Sequence, residues 1–429
     1  MIRQYDTLPG SAPTPWFNGL VIYVALATVG IKWFIVLTVG RFQIELSNFG
    51  SLMLLGLMGL GILLFRQFRA PMILNVQLIL LVLLLASFTV NGEPSNVVVM
   101  SLAATLGAYA ISNAVSMRDS TPVLLAFLTF FGFFIFSALL AGVDLIGGFS
   151  EYLVTGNRDR FNFWVLRPVY NAFSQSDVFE DDDFRTQLNN SVSATYAIFY
   201  ILAGSYALNG EKRMIPVAML SLIMVLSIFS SSAVLTCILA SAVFVVYYLR
   251  AAKGGGPYVL IVLGLLLVLV TGPLVLDYLT LNLNSDSDTR AGRLIQYSEA
   301  LDSIEDNMLF GVGLTRVHRH YVHNFFLFSL SSIGIIGAIC AGYILLYAAL
   351  LSISGMRAII AGAALQPELL MVTCLPILFL VRASVGGGGG LPTGGGLVAL
   401  ALALVARRAL HSPPERRLIV AKQPPQGAS

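Results

Sequence analysis

Charge is what this chain lacks most. Of its 429 residues only 11% are Asp, Glu, Lys or Arg, against roughly 25% in a soluble globular domain, which excludes a single water-soluble fold. Cysteine is scarcer still: Cys237, Cys340 and Cys374 are the complete set, each inside an apolar run. No CxxC or Cys/His spacing joins them, so disulfide scaffolding and thiolate metal binding are excluded and the three read as small core residues. The formal net charge is only +3 and the basic residues are dispersed, which leaves no basic patch for a nucleic-acid partner. An internal repeat of the kind that marks inverted-repeat transporters is also missing.

What the chain has is apolar length, with 57% hydrophobic residues. A polar stretch holding Pro9, Pro13 and Pro15 gives way at Trp16 to an apolar run of about 24 residues, too long for a cleavable signal. Further runs lie near 49–65, 72–90, 96–116, 121–142, 192–208, 214–229, 231–249, 257–279, 322–350, 366–381 and 396–406. At about 20 residues per crossing, they predict an all-α integral membrane protein of about 12 transmembrane helices, a single polytopic membrane domain over residues 1–429. Only Ser230, Ser231 and Ser232 separate the seventh and eighth runs, a soft break of the kind that can line a polar cavity.

Positive charge in short loops sets orientation. With the N-terminus inside, the cytoplasmic loops carry Arg3, Arg66, Arg69, Arg118, Lys212, Arg213, Arg250, Lys253 and Arg357, and a cytoplasmic tail runs over 407–429. The short loops of the other side carry only Arg41 and Arg382. Both termini are therefore expected in the cytoplasm, with two large external loops at about 143–191 and 280–321. The first holds Arg158, Arg160, Arg167 and Arg185, the second Arg290, Arg293, Arg316 and Arg319. So much external arginine in a charge-poor chain calls for an anionic partner, or for an acidic neighbour such as Glu180, Asp181, Asp182 and Asp183. That acidic run also reads as a solvated turn or a metal-binding cluster. Lys32, inside the first apolar run, reads either as functional or as snorkelling to the outer interface.

The second loop is the most informative segment. From Thr289 to Ile304, Leu294, Tyr297, Leu301 and Ile304 recur at helical spacing, which predicts an amphipathic helix on the outer face. Arg290 and Arg293, three apart, project from neighbouring positions on it, where two guanidinium forks can grip a diphosphate. Lipid phosphates, or Asp286 and Asp288, are the plainer partners. A Gly311-Val312-Gly313 turn follows, and then His318, His320 and His323 at the start of a new apolar run. This string invites a zinc reading, but no Asp, Glu or Cys lies within it to complete a site. A neutral imidazole there suits a general base acting on a sugar hydroxyl. The glycines at 386–390 and 394–396 lack the Lys-Ser/Thr ending of a phosphate loop and read as an external hairpin.

The stretch from Arg293 through Gly311-Val312-Gly313 to His323-Asn324-Phe325-Phe326-Leu327 and Gly334-Ile335-Ile336-Gly337 resembles the signature region of the O-antigen ligase and Wzy-type polymerase superfamily. The resemblance implies a GT-C-like, metal-independent, inverting glycosyltransferase in the bacterial inner membrane, requiring no cofactor. Such an enzyme moves a glycan from undecaprenyl diphosphate to an acceptor hydroxyl in the periplasm. It further implies His323 as base and Arg293 or Arg290 as the loop arginine, with Asn324 beside them in the substrate site and Asn190 as the asparagine of the first loop. Ser230, Ser231 and Ser232 stand where a Ser-Arg pair is usual, Tyr297 stands for Trp, and Ser332 stands for an acid. Arg185, Arg316 and Arg319 are the candidates to replace the missing arginine. The leading expectation is a polysaccharide polymerase extending one lipid-linked repeat unit with another. A ligase acting on lipid A core or protein, and a lipid-linked oligosaccharide flippase, are the alternatives. Expected partners are the lipid-linked oligosaccharide, the bilayer, a flippase and a chain-length regulator.

Overall fold

The computed structural model describes residues 15–154 and 182–251 with short gaps, pieces of 298–312, and 324–411 apart from 364–365 and 386–393. In chain order the helices are α1 (Pro15–Thr28), α2 (Leu46–Phe65), α3 (Met72–Asn91), α4 (Asn96–Ser112), α5 (Thr121–Leu140), α6 (Asp182–Leu208), α7 (Ile215–Ile228), α8 (Ser231–Ala251), α9 (Phe325–Ile333), α10 (Ile335–Ile360), α11 (Pro367–Val385) and α12 (Gly394–His411). Strands β1 (Ile35–Val39) and β2 (Phe42–Glu45) form an antiparallel hairpin between α1 and α2.

Six of these helices, α2, α5, α6, α8, α10 and α11, contain a stretch long and apolar enough to cross a membrane among the described residues. The chain is thus a predominantly helical membrane protein, and about 12 crossings is more than the described helices carry. Two of the expected spans are redrawn. The run from Trp16 is not one helix: α1 stops at Thr28, and Ile35, Val36, Thr38 and Val39 enter a strand, as suits β-branched residues. Gly30 lies between them, where an added Cβ would fall 2.8 Å from the Phe130 ring, so the chain turns in close contact with α5. Lys32 lies beyond α1 and outside the described residues, as does the apolar run 257–279. The run 322–350 likewise divides at Gly334 (φ +74°) into short α9 and a 26-residue α10.

The interior is built around α6 and α12. α6 packs against α5, α7, α8, α11 and α12, and α12 against α4 and α11. Residues 191–203 and 397–406 are buried almost throughout, as expected of helices that are apolar or small on every side. The opposite condition holds on α2 and α10, where Leu52, Leu63, Leu64, Leu346, Leu350 and Ile360 stand exposed; continuous apolar faces of this kind suit lipid contact. Hydroxyls within the helices bond back to their own backbone one turn earlier. Examples are Thr195 Oγ1 to Ser191 O, Ser205 Oγ to Ile201 O and Thr236 Oγ1 to Ser232 O at 2.7–2.9 Å. Such bonds satisfy polar groups where no water is available.

Side-chain contacts sort the helix ends into two sets. At one end Arg213 Nη2 donates to Ser120 Oγ at 2.8 Å, and Tyr247 OH to Asn209 Oδ1 at 2.7 Å. Asn113 Nδ2 donates to Arg69 O at 3.0 Å, and Arg408 Nη2 to Ser112 O at 2.8 Å. Arg250 reaches the Ile360 carbonyl, and Arg118 lies 4.0 Å from buried Glu368. The opposite end gathers Asn190, Ser230, Ser232 and Arg382. These are the same two groups of loops that alternation along the sequence assigns to opposite sides.

Candidate functional site

α6 opens with Asp182 and Asp183, acids that complement the positive end of a helix dipole. The acidic run therefore ends in a helix start rather than a turn; Glu180, Asp181 and the side chains of Asp182 and Asp183 fall outside the described residues. Two turns further on, Asn190 begins the apolar stretch of α6. Its side-chain oxygen accepts from the Ser230 hydroxyl, which is itself 3.1 Å from Ser232 Oγ. Ser230 precedes α8, and its carbonyl accepts the first intrahelical bond, from Val234 N at 2.9 Å. The soft serine break is thus the start of a membrane helix, held to α6 by Asn190.

Arg382 completes the cluster. The sequence placed it in a short loop just past the run 366–381; instead α11 continues to Val385 and keeps Arg382 within the bundle, 7% exposed. Its Nη1 donates to the Asn190 carbonyl at 2.7 Å, and no carboxylate pairs with it among the described residues. Sequence reasoning missed this residue as a site candidate and singled out Lys32 within the apolar runs instead. The available signal was an arginine close behind an apolar run, which carries a functional presumption of its own. Ser193, one turn from Asn190 on α6, has a buried hydroxyl without a partner among the described residues.

The second part of the region is a backbone lock. Gly311 (φ +67°) and Gly334 (φ +74°) face each other. Val312 N donates to Ser331 O at 2.9 Å and Ile335 N to Met308 O at 3.0 Å. A Cβ on Gly311 would lie 2.6 Å from Ile333 N, and one on Gly334 would lie 2.6 Å from Phe310 N. The spacing of the two glycines in the sequence therefore records a close backbone crossing between the end of the second loop and the α9–α10 break. Between them, Asn324 is the N-cap of α9, its Oδ1 accepting from Leu327 N at 3.0 Å. An extended N-cap residue with this bond fixes the entry of the chain into the helix. His323 is the preceding residue.

Of the site residues expected from sequence, Asn190 and Asn324 are described in full. Arg185 lies on α6 with its side chain outside the described residues, and His323, Arg290, Arg293, Arg316 and Arg319 lie wholly outside them. Helical residues at 298, 300–302 and 304–305 agree with the end of the amphipathic helix, but its buried position is Ala300 while Leu301 is 55% exposed. Leu301 thus departs from the expected stripe, Ile304 is partly buried, and Leu294 and Tyr297 lie outside the described residues. Among the described residues no three His, Cys, Asp or Glu side chains converge on a metal-sized site; the histidine string lies outside them. Cys237 and Cys374 are buried and free, as small core residues should be.

In comparison with known proteins, residues 216–342 match the family model described as O-antigen ligase. The match includes the Ser230–Ser232 helix start, the whole of residues 280–321, the glycine lock and α9. No curated protein matches the chain.

Proposed function

With residues 216–342 carrying the domain of the O-antigen ligase superfamily, we propose that this membrane protein is a polysaccharide polymerase. It transfers a growing glycan from undecaprenyl diphosphate to the hydroxyl of another lipid-linked repeat unit on the outer side of the bacterial inner membrane. The observation that supports the reading is the coincidence of the matched segment with the glycine lock, which joins residues 308–312, shortly after Arg290 and Arg293 in the sequence, to the end of the helix that begins after Asn324.

The diphosphate is a good leaving group, so catalysis consists of orienting the acceptor and stabilising charge on the departing phosphates. In this account Arg293 and Arg290 grip the diphosphate, with Arg316, Arg319 and Arg185 adding positive field. His323 takes the proton of the attacking hydroxyl, the anomeric carbon inverts in one displacement, and Asn324 and Asn190 hold sugar or phosphate oxygens. The residues named need no metal for these steps. The end of the bundle rich in Arg69, Arg118, Arg213, Arg250 and Arg408 faces the cytoplasm by the rule that positive short loops stay inside, which turns Asn190 and Arg382 outward.

Polymerase is preferred to ligase because the chain departs from the usual signature at Ser230–Ser232, Tyr297 and Ser332, and polymerases are the more divergent branch. The flippase alternative has no support in the family match. The test is purified protein given lipid-linked repeat units alone. A ladder of longer chains is the expected product; no ladder, under conditions where finished chains pass to a lipid A core acceptor, would establish the ligase instead.

A further inference from the structure

Arg382 is at odds with its surroundings. A guanidinium carries a permanent charge and five N–H donors, and this one is buried on a membrane helix with, among the described residues, a single hydrogen bond, to the Asn190 carbonyl. Keeping an unpaired charge away from water is costly unless an anion and further acceptors meet it. Among the described residues no carboxylate does so, although the chain supplies one to Arg118 through Glu368 at the other end of the bundle.

The neighbours of Arg382 also favour an anion. Asn190 turns its carbonyl oxygens to the protein, one to Arg382 and one to Ser230, and its Nδ2 donors have no partner among the described residues. Ser230 and Ser232 stand at the first turn of α8, a 21-residue helix whose opening N–H groups have no intrahelical acceptor and lie at the positive end of its dipole. The serines contribute no positive side chain themselves, and α11 brings one to Asn190, the residue that bonds Ser230. A buried guanidinium, an amide donor and a helix start thus converge from three helices that pack on one another.

We propose that Arg382, Asn190 and the start of α8 at Ser230–Ser232 form a phosphate-binding subsite that holds one phosphate of the lipid-linked diphosphate donor. This rests on the glycosyltransferase reading and adds to it a binding residue from α11, outside the matched segment. Arg382 is preset by its place on α11 and its bond to Asn190 on α6, so this cation is in position before the donor arrives. A preset donor array costs little reorganisation on binding.

The test uses the purified full-length protein in detergent and measures equilibrium binding of undecaprenyl diphosphate, undecaprenyl monophosphate and phosphatidylglycerol. Arg382→Lys keeps the charge and tests the planar grip; Arg382→Gln removes the charge. Wild type should bind the diphosphate in preference to the other two. Arg382→Lys should weaken that binding about 10-fold and Arg382→Gln about 100-fold, as expected for loss of charge-assisted hydrogen bonds. Asn190→Ala should weaken it by a smaller factor, and the melting temperature of Arg382→Lys should stay near that of wild type. If Arg382→Gln does not fold, the lysine variant decides. Unchanged diphosphate affinity in a folded Arg382 variant would overturn the proposal and leave Arg382 as a clamp between α11 and α6. Equal competition by phosphatidylglycerol would overturn it in favour of a general lipid-headgroup site. Wild-type transfer that persists while Arg382→Lys is indistinguishable from it sinks the subsite alone; wild type that neither binds nor transfers sinks the parent reading with it.

Discussion

Asn324 shows how one side chain can serve structure and site together. Its oxygen caps α9 through Leu327 N, while its amide nitrogen has no bond among the described residues, on the residue adjoining His323. Asn324→Ser keeps a capping oxygen, for which the cost is a few tenths of a kcal/mol, against about 1 kcal/mol for Ala. Under the proposed function, the serine variant should melt close to wild type yet show a raised donor KM, because the amide donors are gone. Wild-type KM in Asn324→Ser would confine the residue to capping. Asn190 has the same dual character, with its oxygens turned to Ser230 and Arg382.

At the scale of elements, the α9–α10 break sets the shape of the region. Gly334→Ala must place a Cβ in a backbone region (φ +74°, ψ −152°) that is essentially restricted to glycine, costing about 1–3 kcal/mol, and against the backbone at Phe310. Gly342→Ala, on the same span, meets only the Phe326 ring at 3.7 Å. The first substitution should lower the melting temperature and suppress glycan transfer, the second should leave both unchanged, and a fully active, equally stable Gly334→Ala would remove the lock from the account. The glycines were legible in the sequence because strained backbone leaves a residue-type signature. The spans were less so: hydropathy counts apolar residues without regard to whether they are β-branched, so Ile35–Val39 merged with α1 and α9 merged with α10. The Asn190–Ser230–Arg382 cluster was illegible for another reason, since its members lie on three helices far apart in sequence and only packing brings them together.

At the scale of the whole molecule, chemistry is partitioned between two ends. One end ties Arg118, Arg213, Arg250 and Arg408 to helix carbonyls, hydroxyls and Glu368, and Asn113 holds the backbone of Arg69, uses that anchor the connections between helices. The other end holds the serine-rich start of α8, Arg382 and the glycine lock, and the proposed donor site lies there. The sidedness and the activity meet in a single measurement: the lipid-linked products that accumulate in cells carrying His323→Ala, with membrane insertion of the variant verified alongside. The account predicts an inserted, abundant protein and single undecaprenyl-linked repeat units trapped on the outer face, where an impermeant glycosidase reaches them. Long chains made at the wild-type level by His323→Ala, or single units trapped on the cytoplasmic face, would contradict it.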